Sequence, residues 1–73
     1  MKEEVKEAQI KLKQLRLAIV NLSDRLSECA EAEKDGTKYE RLAEAYGQLT
    51  RILDRLTDSE YELEDIECLS KDL

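Results

Sequence analysis

Apolar residues recur at alternating steps of three and four from the first residue onward: Met1, Val5, Ala8, Leu12, Leu15, Ile19, Leu22, Leu26 and Cys29. This is a heptad seam, with Val5, Leu12, Ile19 and Leu26 at a and Met1, Ala8, Leu15, Leu22 and Cys29 at d. Such a seam predicts a helix that rests on a partner helix. A matching seam follows at Tyr39, Leu42, Tyr46, Leu49, Leu53 and Leu56. Beyond Leu56 the strict series meets Glu60 and Glu67, and the apolar track is expected to move to Ile52, Leu56, Leu63, Ile66, Leu69 and Leu73. That is the drift of a nearly straight helix against a seven-residue repeat.

The one compact turn signal is Asp35-Gly36-Thr37-Lys38. Gly36 suits the left-handed position that ends a helix, and Thr37 with Glu40 makes a Thr-x-x-Glu capping box that starts another. The pattern therefore predicts a single all-α domain: helix 1 over about 2–34, a turn at 35–37, and helix 2 over about 38–72, folded as an antiparallel, coiled-coil-like hairpin. Glu3 and Glu4 favour the positive end of the first helix dipole. Thr57-Asp58-Ser59 leaves an alternative open. These residue types are poor in helix interiors and good at caps, and Thr57/Glu60 and Ser59/Glu62 would each form a capping box. A break near Asp58 would give a three-helix bundle. The matched lengths of the two segments, each near 50 Å at about 1.5 Å per residue, favour the continuous hairpin.

A further apolar set, Ile10, Leu17 and Val20, lies on the side of helix 1 away from its a/d seam, where a hairpin's outer surface is ordinarily polar. These three are the first candidate partner-binding residues. Their expected role is to let two hairpins dimerise into a four-helix bundle, or to bind a different protein.

Composition agrees with long helices and narrows the chemistry. Proline is absent, glycine occurs at only two positions, and 41% of the 73 residues are charged. No apolar run is long enough to span a membrane. The first residues are charged and lack the form of a signal peptide, and the two cysteines, Cys29 and Cys68, lie far apart. The expectation is a cytoplasmic protein with reduced thiols, Cys29 in the core at its d position. With no histidine and no close cysteine pair, no metal or cofactor is expected, and no nucleophile has a recognisable base, so the chain reads as a non-enzyme. Tyr39 and Tyr46 read as seam residues whose hydroxyls reach the edge.

The net charge of −6 is confined to one end: residues 1–53 carry ten acids and ten bases, and residues 54–73 carry eight acids and two bases. Glu60, Glu62 and Glu64 in this acidic stretch are the second group of candidate partner-binding residues. The expected function is a small protein–protein interaction module, such as an adaptor, assembly or regulatory subunit. The alternative is an acidic inhibitor, a nucleic-acid mimic that occupies a basic partner. A third, less favoured reading is RNA binding through Lys6 and Lys13. In architecture the chain resembles plasmid copy-number regulators, helical-hairpin dimers that bind RNA, although it shares no motif with them. Net negative charge and the lack of aromatic residues among the basic ones oppose nucleic-acid binding.

Overall fold

From Lys2 to Ala32 the chain has neither proline nor glycine, and it forms one helix, α1 (Lys2–Ala32); a second, α2, spans Gly36–Ser70. The computed structural model describes residues 1–71. Gln9 meets Glu67 and Arg16 meets Glu60 across the two helices, so they run antiparallel in a rod of 57 × 15 × 10 Å. The expected end of helix 2 near Asp72, and Leu73 of the apolar track, lie outside the described residues.

The reversal falls two residues earlier than the spacing predicts. α1 stops at Ala32, and both Glu33 (φ −80°, ψ 126°) and Asp35 (φ −82°, ψ 119°) are extended. No described residue has a positive φ, so Gly36 is not the left-handed terminator expected of it; it is the first residue of α2. Asp35, not Thr37, caps α2. Its Oδ1 accepts from the backbone N–H groups of Thr37 (2.9 Å) and Lys38 (3.3 Å), while Glu33 Oε1 accepts from the Asp35 N–H (3.0 Å). A carboxylate satisfies two otherwise orphaned donors and adds negative charge at the positive helix end, which a threonine hydroxyl cannot do.

The three-helix alternative does not form, because α2 runs unbroken through Thr57-Asp58-Ser59. The hydroxyls of Thr57 and Ser59 turn back onto their own helix, donating to the carbonyls of Leu53 (3.0 Å) and Arg55 (2.8 Å). Thr50 donates to Tyr46 in the same way (3.1 Å). Such back-bonding satisfies the side chain without ending the helix.

The contact between the helices departs from the a/d seam on α1. Its a residues turn inward: Val5 is buried, and Leu12, Ile19 and Leu26 are half-buried. The second inward column is not d but e, namely Gln9, Arg16, Ser23 and Ala30. The d column faces solvent, with Leu15 at 49% and Leu22 at 48% exposure, and Cys29 is exposed rather than in the core. Two helices alone can bury only one stripe of each other. Here the stripe is drawn toward e because Gln9 and Arg16 reach carboxylates on α2, while Ser23 and Ala30 are small enough to sit between the backbones.

On α2 the strict seam persists to the end. Leu49 is buried, Leu53, Leu56 and Leu63 are half-buried, and Glu60 and Glu67 remain in register between them. The predicted shift of the apolar track does not occur: Ile52, Ile66 and Leu69 stay exposed. The polar partners on α1 hold Glu60 and Glu67 in the seam. Tyr39 and Tyr46 are also exposed, at the rim of the seam.

Candidate interaction face

The hairpin has two broad sides, one on each side of the seam, and they differ in chemistry. On the first, the d column of α1 faces Ile52, Ser59 and Ile66 of α2. A groove runs between them, lined by Ala8, Leu12 and Leu15 from α1 and by Ser59, Leu63 and Ile66 from α2. Lys11 stands on its α1 rim and Glu62 on its α2 rim. Leu15, Leu22, Ile52 and Ile66 are all large, apolar and more than a third exposed. Single exposed aliphatics are ordinary, but here they continue along both helices as one strip.

The second side is polar toward the open end of the hairpin. Gln9 and Lys13 of α1 face Glu60, Glu64 and Glu67 of α2, and Lys2 and Lys6 face Glu67 and Lys71. Arg16 Nε donates to Glu60 Oε1 at 2.7 Å, and Gln9 Nε2 donates to Glu67 Oε2 at 2.9 Å. Nearer the turn this side becomes mixed, with Ala30, Tyr39, Ala43 and Tyr46 around a shallow recess.

The structure disperses the six candidate partner-binding residues. Ile10 and Leu17 are 57% and 59% exposed, and Val20 is half-buried. At about 100° per residue, Leu17 points about 160° away from Leu15, so the Ile10–Leu17 stripe and the apolar groove lie on different sides of α1. Glu60 is tied to Arg16, Glu64 faces Lys13, and Glu62 stands across the hairpin beside the apolar groove. The three glutamates therefore make no single acidic patch.

Sequence reasoning missed Leu15, Leu22, Ile52 and Ile66 as an open surface. The first two were spent on the intramolecular seam, and the last two were expected to enter it. The signal was present in the e column. Polar Gln9 and Arg16 stand opposite Glu67 and Glu60 when the helices pair antiparallel, and satisfying both pairs rotates α1 away from a strict a/d contact.

Among the described residues no group of three or more His, Cys, Asp or Glu is placed to hold a metal ion, and both cysteines are free. No helix of the described residues is long and apolar enough to cross a membrane. The Glu4 carboxylate is held below its ordinary value of 4.5, first by the hydrogen bond from the Met1 ammonium (3.0 Å), then by a backbone hydrogen bond and the ammonium charge. That contact is complete above the ordinary carboxylate pKa and is lost as pH falls through the lowered one. It is exposed to solvent, which screens it.

The sequence matches no protein-family model, and no curated protein or solved structure matches the chain.

Proposed function

We propose that this chain is a small protein–protein interaction module, an adaptor, assembly or regulatory subunit, that works by laying an apolar helical face against another polypeptide. In the fullest form of this reading the hairpin self-associates into a four-helix bundle and acts in the cytoplasm. The observation that carries it is the open d column. Half of the α1 heptad seam, at Leu15 and Leu22, remains at the surface after the hairpin closes. Heptad positions are kept apolar where a helix surface is covered, and α2 alone does not cover these.

The small interior of the single hairpin supports the same reading. Val5 and Leu49 are its only buried apolar side chains among the described residues. Chains of this size commonly need a staple, a metal or a second subunit. The acidic-inhibitor reading draws less support, since Glu60 is occupied by Arg16, and Glu62 and Glu64 lie on different sides of the hairpin. RNA binding draws less as well, because Lys6 and Lys13 stand beside Glu67, Glu60 and Glu64.

The test is a pair of double variants compared by light scattering at equal concentration. Leu15→Glu with Leu22→Glu is expected to yield a species of lower mass than the wild type. Ile10→Glu with Leu17→Glu is expected to leave the mass unchanged. The reverse outcome would place the interface on the Ile10–Leu17 stripe. A wild type that is monomeric at high micromolar concentration, and captures no protein through Leu15 and Leu22, would end the interaction-module reading.

A further inference from the structure

We infer that the apolar face takes a second copy of this chain, related by a two-fold axis along the rod, so that α1 of each copy lies over α2 of the other. This rests on the self-associating form of the interaction-module reading and adds the symmetry of the pair and the charged residues that fix it.

Area argues for an occupant of this size. The chain exposes 5959 Å². A globular protein of its 8.5 kDa would expose about 4,700 Å². The surplus of roughly 1,300 Å² exceeds the roughly 800 Å² that each partner contributes to an interface of standard size. The surplus includes the cost of an elongated shape, and pairing two rods lengthwise is the arrangement that removes it. The apolar strip extends along both helices, from Ala8 and Ile66 near the open end to Leu22 and Ile52 beyond the middle, so only a rod-shaped partner covers all of it. Only one broad side of the hairpin carries such a strip. A self-complementary contact through one side closes as a dimer and does not propagate.

Charge selects the arrangement. Lys11 and Glu62 stand on opposite rims of the same groove. They lie within about one helical turn of each other in height by the Gln9–Glu67 and Arg16–Glu60 pairing. The Lys11 ammonium also meets Glu7 of its own helix at 2.9 Å on the exposed surface. A two-fold axis along the rod sets Lys11 of each copy against Glu62 of the other, twice over. Further along, the same operation brings Arg25 beside Gln48 and Ala18 beside Arg55, with no like charges meeting. Turning the second copy end over end instead lays α1 on α1 about its middle, near Ala18. That brings Lys11 against Arg25, twice over, and Arg55 near its own counterpart, three like-charge meetings of the kind that disfavour a pairing.

The experiment is a charge swap read by sedimentation equilibrium on the full chain, with helicity followed by circular dichroism. Lys11→Glu and Glu62→Lys are each expected to weaken self-association about tenfold, since each places two like-charge pairs at the rim. An equimolar mixture of the two variants restores both attractive pairs in a heterodimer and is expected to return to within about threefold of the wild type. The double variant Lys11→Glu with Glu62→Lys in one chain should also dimerise like the wild type, which keeps the test valid if a single variant loses helicity. Tighter association of Lys11→Glu alone would overturn the inference in favour of the end-over-end arrangement. A wild-type dimer indifferent to all of these changes would overturn the face and symmetry, yet leave the interaction-module reading standing. A wild type with no self-association at all would overturn the second copy as occupant, and capture of another protein through Leu15 and Leu22 would then decide the broader reading.

Discussion

Ser23 is the residue whose environment is least resolved by its neighbours. It is 7% exposed on the inward column of α1, and its hydroxyl has no hydrogen-bond partner among the described residues. A buried hydroxyl without a partner costs about 1–3 kcal/mol of desolvation. A small residue is required there because the helices approach closely, and alanine is equally small and a better helix former. Ser23→Ala is therefore expected to raise stability by about 1 kcal/mol in urea unfolding at fixed protein concentration. A destabilisation would mean that the hydroxyl is bonded after all. Ser70 makes the contrast: it is 5% exposed, and its Oγ donates to the Glu67 carbonyl at 3.0 Å. Asp35 shows how a single residue escapes a reading based on spacing. Gly36 and Thr37 both carry strong turn preferences, but the carboxylate of Asp35, one residue before Gly36 and two before Thr37, accepts two N–H groups and caps α2.

At the scale of the two helices, the polar half of the seam determines how they sit. An a/e stripe turns Gln9, Arg16, Ser23 and Ala30 inward and leaves Leu15 and Leu22 at the surface, so hydrophobic area within one hairpin opposes the rotation of α1 rather than choosing it. What this rotation gains within the hairpin is the Arg16–Glu60 and Gln9–Glu67 contacts, which close across the two helices. Arg16 and Glu60 keep side-chain exposures of 38% and 21%, so solvent discounts the pair. A double-mutant cycle with Arg16→Met and Glu60→Leu is expected to give a coupling energy of about 1 kcal/mol, with each single change destabilising and the double variant close to the wild type. Zero coupling would mean that the pair is a passenger rather than a determinant of register. The existence of both helices and their antiparallel course were legible in the heptad steps and the single turn signal. The rotation of α1 was not, because heptad bookkeeping counts apolar residues and treats Gln9, Arg16, Glu60 and Glu67 as interruptions. The continuity of α2 across Thr57 and Ser59 was legible only from matched lengths, since capping preference is silent about whether a hydroxyl bonds forward to an N–H or back to a carbonyl.

The whole molecule is a rod with one apolar side and one largely polar side, and this asymmetry was hidden in the sequence. A strict a/d pairing would cover Leu15 and Leu22 with α2 and leave Ile10 and Leu17 as the apolar residues outside the seam; the latter two are exposed on the other side of α1. The charge pattern was legible at this scale: an antiparallel hairpin lays the acidic end of α2 beside the basic end of α1. Of the acids in residues 54–73, Glu60, Glu64 and Glu67 face Lys2, Lys6, Lys13 and Arg16 of α1, whereas Glu62 stands on the rim of the apolar groove. Under the proposed pairing of two hairpins, stability is expected to depend on protein concentration, as it does wherever folding and association are linked. The most direct test is the molar mass of the wild-type chain in solution, measured by sedimentation equilibrium from low to high micromolar concentration. The mass is expected to approach twice the 8.5 kDa of one chain as concentration rises. A mass that stays at 8.5 kDa across the range would contradict self-association through the Leu15–Leu22 face.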